Sequence, residues 1–93
     1  MRKIYKYEVR PDNPGGITSL SLTHGSIPLK VAVQDGKIVA WFEVMPARLA
    51  NWHVELVCRA TGQEWEESER GQYIGTALLA AGALVFHVYL RDT

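Results

Sequence analysis

The stretch YIGTALLAAGALVFHVYL, Tyr73 to Leu90, contains no charged residue. A run of this length is long enough to span a bilayer as a helix, so it decides which folds are open to the chain. Three readings compete: a membrane span, a buried helix, or two strands joined by a turn. Glycine at 75 and 82, Thr76 and His87 interrupt the run, which is barely long enough to span and is followed by only Arg91, Asp92 and Thr93. Its second half, LVFHVYL, is built of β-branched and aromatic residues with a period of two. That spacing puts Leu84, Phe86, Val88 and Leu90 on one face and Val85, His87 and Tyr89 on the other. QYIGTALL reads the same way, and Gly82 in Ala80-Ala81-Gly82-Ala83 can supply the turn. Two strands are the reading that fits best.

The rest of the chain carries the same period. Ile4, Tyr5, Tyr7 and Val9 form a strand-like start that ends in the turn cluster PDNPGG. In ITSLSLT, Leu20 and Leu22 face opposite to Ser19, Ser21 and Thr23. After the turn HGSIP, the segments PLKVAVQ and KIVAWFEV flank Asp35-Gly36. Both turn residues tolerate positive φ, which makes Leu29 to Val44 a hairpin. WHVELVCRA alternates again, with Trp52, Val54, Leu56 and Cys58 on one side. A short helix is expected within Ala47 to Asn51, with Pro46 near its start. The pattern predicts a mainly β fold, a small antiparallel barrel or sandwich of about six or seven short strands, in a single domain covering residues 1–93.

Lys plus Arg balance Asp plus Glu at ten each, so no global field draws the chain to nucleic acid or to an anionic membrane. The lone cysteine, Cys58, leaves no internal disulfide and suits a reducing compartment. MRKIYKYEVR lacks the apolar core of a signal peptide, and a cytoplasmic location in the host cell is expected.

Residues with catalytic or metal-binding chemistry are sparse. His24, His53, His87 and Cys58 have no CxxC or HxxxH spacing, although His53 and His87 would approach one another if their strands paired suitably. Cys58 reads as a buried small hydrophobe. Ser19 and Ser21 lie on a strand, and no GxSxG elbow is present. Gly15-Gly16 lacks the spacing of a phosphate loop. No enzyme, cofactor or metal is expected. Arg2, Lys3, Lys6 and Arg10 cluster with Tyr5 and Tyr7. They read either as a modest basic-aromatic patch for nucleic acid or as a charge-protected strand edge.

The most unusual segment is GQEWEESERG, in which Glu64, Glu66, Glu67 and Glu69 surround Trp65. Carboxylates on a loop can imitate phosphates and engage arginines and lysines of a partner, and tryptophan is enriched at binding hot spots. The opposing reading is a solvated acidic loop with Trp65 folded back on the core.

Several short motifs, IYKY, VAVQDGKIVAWFEV, ATGQEWEE and YIGTALLAAGALVFHVY, occur in an order that resembles a family of short uncharacterised proteins of tailed phages and prophages. Gln63 stands where that family carries a histidine after Thr-Gly, so the resemblance implies no ligand role there. It implies a phage or mobile-element origin. By analogy with anti-CRISPR proteins, a non-enzymatic inhibitor of a host defence system is expected. Its partner would be a host protein with a basic surface, such as a CRISPR–Cas effector subunit, and it would not act at a membrane. Self-association as a homodimer fits short sheets with exposed edges. The alternative is a small ligand- or nucleic-acid-binding β module.

Overall fold

The computed structural model describes residues 1–66 and 70–93. Among them the chain forms seven strands: β1 (Lys3–Val9), β2 (Ile17–Leu22), β3 (Ile27–Gln34), β4 (Lys37–Val44), β5 (Trp52–Ala60), β6 (Gln72–Leu79) and β7 (Leu84–Asp92). The strands lie in two antiparallel sheets, the first ordered β1-β4-β3 and the second β2-β5-β7-β6. The mainly β class is as expected, in its sandwich form rather than as a closed barrel.

Local chemistry accounts for both hairpins. Asp35 and Gly36 sit at φ 51° and 75°, and Gln34 pairs with Lys37, so the expected two-residue turn joins β3 to β4. The uncharged stretch is β6 and β7, with Leu79 paired to Leu84 across a turn at Ala80–Gly82. No helix among the described residues is long and apolar enough to cross a membrane. In that turn Ala80 and Ala81 take φ of 51° and 54°, a region where Cβ crowds the backbone.

The helix expected at Ala47 to Asn51 does not form. A single turn is closed there by the Arg48 amide donating to the Met45 carbonyl at 3.0 Å. Arg48 is instead tied to the turn before β3, where its Nη1 donates to the His24 carbonyl at 3.2 Å. A helix nucleus fixes several residues for one hydrogen bond, and a short connection between two sheets offers too few residues to extend it.

The core lies between the sheets. Phe42, Ala40, Ile38 and Val44 of β4 face Leu56, Val54 and Cys58 of β5, with Val88 and Leu90 of β7 and Leu22 of β2 completing the layer. Alternation places these side chains inward, as the period of two requires. Tyr7 of β1 packs edge-on against Phe42, with ring centroids 5.8 Å apart. The sheets come nearest where β3 meets β6. A Cβ added at Gly75 would stand 2.7 Å from the Val31 Cβ, closer than atoms pack. The β6 ladder shifts register between Tyr73 and Gly75, at the same place.

Phe42→Ala is expected to cost about 3–5 kcal/mol. Gly75→Ala should cost about 1–3 kcal/mol through overpacking against Val31. Ala81→Gly relieves the left-handed strain and should raise stability by up to about 1 kcal/mol. Urea denaturation with tryptophan fluorescence checks all three.

Candidate functional site

The outer face of the second sheet carries an ordered polar and aromatic constellation. Val57 on β5 is paired with Ile17 on β2 and with Tyr89 on β7, and Tyr89 is paired with Tyr73 on β6. One step along the same face, Arg59 is paired with His87, and His87 with Thr76. Arg59 is 6% exposed, although it points away from the core. Its Nη1 donates to the Gly15 carbonyl at 2.7 Å and to the Cys58 carbonyl at 3.0 Å. The charge is thus held by the Pro14–Gly16 turn on one side and roofed by Trp65 on the other, with the guanidinium carbon 5.6 Å from the indole centroid.

Trp65 is folded back, but onto the outside of the sheet and not into the core. Its ring lies 5.2 Å from Tyr89, which in turn meets Tyr73 edge-on at 5.7 Å. The neighbouring His87 is fixed by hydroxyls on both ring nitrogens, Thr76 Oγ1 at 3.0 Å from Nδ1 and Thr61 Oγ1 at 2.8 Å from Nε2. Tyr73 reaches Thr76 through its phenol. These groups fix the base of the acidic loop, and Gln63 Oε1 adds a bond from the Ala60 amide at 3.0 Å. An open cavity of about 810 Å³ is lined by Gly15, Arg59, Gln63, Glu64, Trp65 and Glu66. Glu64 and Glu66 are exposed at its mouth and Trp65 is half-buried. Of the five loop residues expected to bind a partner, these three form one surface. Glu67 and Glu69 lie outside the described residues.

The remaining candidates are scattered. β5 and β7 do pair, yet His87 aligns with Arg59, six residues along β5 from His53, or about 20 Å at strand spacing. His24 is stacked on Trp52, with ring centroids 6.1 Å apart. No group of three or more metal-ligating side chains occurs among the described residues. Register brings together one pair that the sequence pattern did not reveal: Ser21 lies opposite His53, with Oγ 3.0 Å from Nδ1. Both are exposed, and Glu55, the next carboxylate on that face, is held by Arg91 at 2.8 Å. The pair reads as a cross-strand contact.

Of the two readings of the start of the chain, the edge strand fits, since β1 lies at the edge of its sheet, and the basic-aromatic patch is not one surface. Tyr5 is paired with Phe42 and Tyr7 with Ala40, which places both on the core side, whereas Lys6 lies on the opposite side with Ile4 and Glu8. A strand's two faces separate neighbours in sequence. The aromatic residue beside Lys6 is Trp41 of β4, directly opposite it in the ladder.

Cys58 is buried on the core side, as its place beside Trp52, Val54 and Leu56 implied. Burial pushes its thiol up to about 11 from an ordinary 9.0, against a smaller opposing effect of Arg59. The folded state therefore holds the proton that the unfolded chain releases. The resulting stabilisation is full below about pH 9 and is lost as pH rises toward 11. Thermal unfolding across that range should show a falling midpoint, and Cys58→Ala should flatten the fall. A thiol reagent should react with Cys58 only as the protein unfolds.

Neither a curated protein nor a solved structure matches the chain. One family model does, over residues 1–93, and the chain belongs to that family, which is described as Domain of unknown function (DUF7352).

Proposed function

We propose that this is a non-enzymatic protein of a phage or mobile element that binds and inhibits a host protein through the acidic loop beginning at Glu64. The observation that carries the reading is the mounting of that loop. Glu64 and Glu66 project into solvent, while Trp65 between them is clamped by Tyr89 and Arg59. A loop held at its aromatic residue loses less freedom on binding than a free one, so its carboxylates are partly preorganised. Two or more carboxylates on a rigid base suit a partner surface rich in arginine and lysine, of the kind that normally holds nucleic-acid phosphates. A CRISPR–Cas effector subunit is the partner class to try first. Catalysis has no part in this reading.

The test is a tagged pull-down from a nuclease-treated bacterial lysate containing CRISPR–Cas effectors, read by mass spectrometry. A stoichiometric effector subunit that survives nuclease is the expected result. Glu64→Lys with Glu66→Lys should abolish capture while moving stability by no more than about 0.5 kcal/mol, because both side chains are exposed. Trp65→Ala is a poorer probe, since losing its contacts with Tyr89 and Arg59 should lower the melting temperature as well. Undiminished capture by the double charge reversal would remove the loop from the interface.

A further inference from the structure

The outer face of the first sheet presents a second, chemically opposite surface. Its central row is Lys6–Trp41–Lys30, in which Trp41 on β4 is paired with Lys6 on β1 and Lys30 on β3. The row toward one end is Ile4–Glu43–Ile27, and the row toward the other is Glu8–Val39–Ala32. Trp41 is half-buried, while Ile4 and Ile27 are 61% and 46% exposed. Val39 shares this outward face yet is only 5% exposed. From its place opposite Trp41, Lys6 reaches across β4 to β3, where Nζ donates to Gln34 Oε1 at 2.6 Å. Gln34 is neutral, so the Lys6 charge is left intact. Glu43, the carboxylate of the central strand, is paired with Arg2 at 3.0 Å. Among the described residues, neither Lys30 nor Lys37 makes an ion pair. Exposed Glu8 is the carboxylate that remains on this face.

We propose that this face binds single-stranded nucleic acid, with a base stacked on Trp41 and the adjoining phosphates held by Lys6 and Lys30. Three features favour that occupant. An indole with a lysine at the paired position of each neighbouring strand suits the alternation of base and phosphate along a single strand. Ile4 and Ile27 supply apolar surface for the neighbouring sugar and base edge. Exposed Glu64 and Glu66 lie between β5 and β6, strands of the other sheet. A net charge of zero therefore conceals an uneven distribution: all four lysines, Lys3, Lys6, Lys30 and Lys37, lie in the first sheet. A duplex hides its base faces inside the stack and offers nothing to Trp41.

The experiment is fluorescence anisotropy of a short labelled oligo-deoxythymidine at low salt, with the matching duplex and polyglutamate as comparators. Binding to the single strand should weaken with salt, with a log–log slope of about −1.5 to −2 for two to three phosphates. Trp41→Ala should lower affinity about 5- to 100-fold. Lys6→Glu and Lys30→Glu should each weaken binding and flatten the slope. Trp41→Phe, which keeps a stacking ring, should retain most of the affinity and guards against a folding defect in the alanine variant. Glu64→Lys with Glu66→Lys should leave the contact with Trp41 intact, so this proposal and the acidic-loop reading fail separately. Absence of binding, equal binding to duplex, displacement by polyglutamate at equal charge, or indifference to Trp41→Ala would each overturn it.

Discussion

The approach of Gly75 to Val31 is the contact on which the arrangement of the two sheets depends. Each sheet is held internally by hairpins and ladders, but something must fix the distance between them. At the β3–β6 seam the missing side chain of Gly75 lets one backbone come against the Val31 side chain of the other. The register shift in β6 turns the strand at that point. A close seam on one side brings Phe42, Leu56 and Val88 into a single layer, each at 0% exposure. A core of this size leaves no reserve, so a methyl group at the seam is felt throughout.

With the interior filled, chemistry is confined to the two outer faces, and these differ in kind. The second sheet carries hydroxyls, a histidine, a buried arginine and stacked aromatics that clamp the base of an acidic loop. The first sheet carries lysines around one tryptophan. Among the described residues, neither face sets a nucleophile beside a desolvated base, which is the arrangement that acyl transfer and related chemistry demand. Both set charged side chains beside aromatic rings.

Much of the fold was legible because the period of two persists along nearly the whole chain and its interruptions are turn residues. Asp35-Gly36 announced its hairpin outright, and Leu84 to Leu90 displayed its two faces. The helix expected near Ala47 failed because a favourable proline and a few helix formers do not compensate for a segment held by Arg48 to the His24 carbonyl. The sites were harder to read, since they are made by register between strands distant in sequence. Arg59 looks like any outward strand arginine until the turn at Gly15 is seen beneath it. Ser21 meets His53, and Trp41 meets Lys6 and Lys30, only once pairing is known. The basic cluster at the start left two readings open for the same reason: neighbours in sequence along a strand lie on opposite faces in space.

The order of strands also bears on how the chain is assembled. β3 with β4 and β6 with β7 are neighbours in sequence and in space, whereas β1 and β2 follow one another in the chain yet belong to different sheets. β1 pairs with β4, and β2 with β5, across long intervening segments. During synthesis the first two strands emerge before either partner exists. They must remain unpaired until the ribosome has delivered Lys37–Val44 and Trp52–Ala60. Such long-range closure is slow compared with hairpin formation. Until then β1 and β2 have no partner strand, and Arg2, Lys3, Lys6, Arg10, Pro11 and Pro14 are residues of the kind that disfavour aggregation of an unpaired strand.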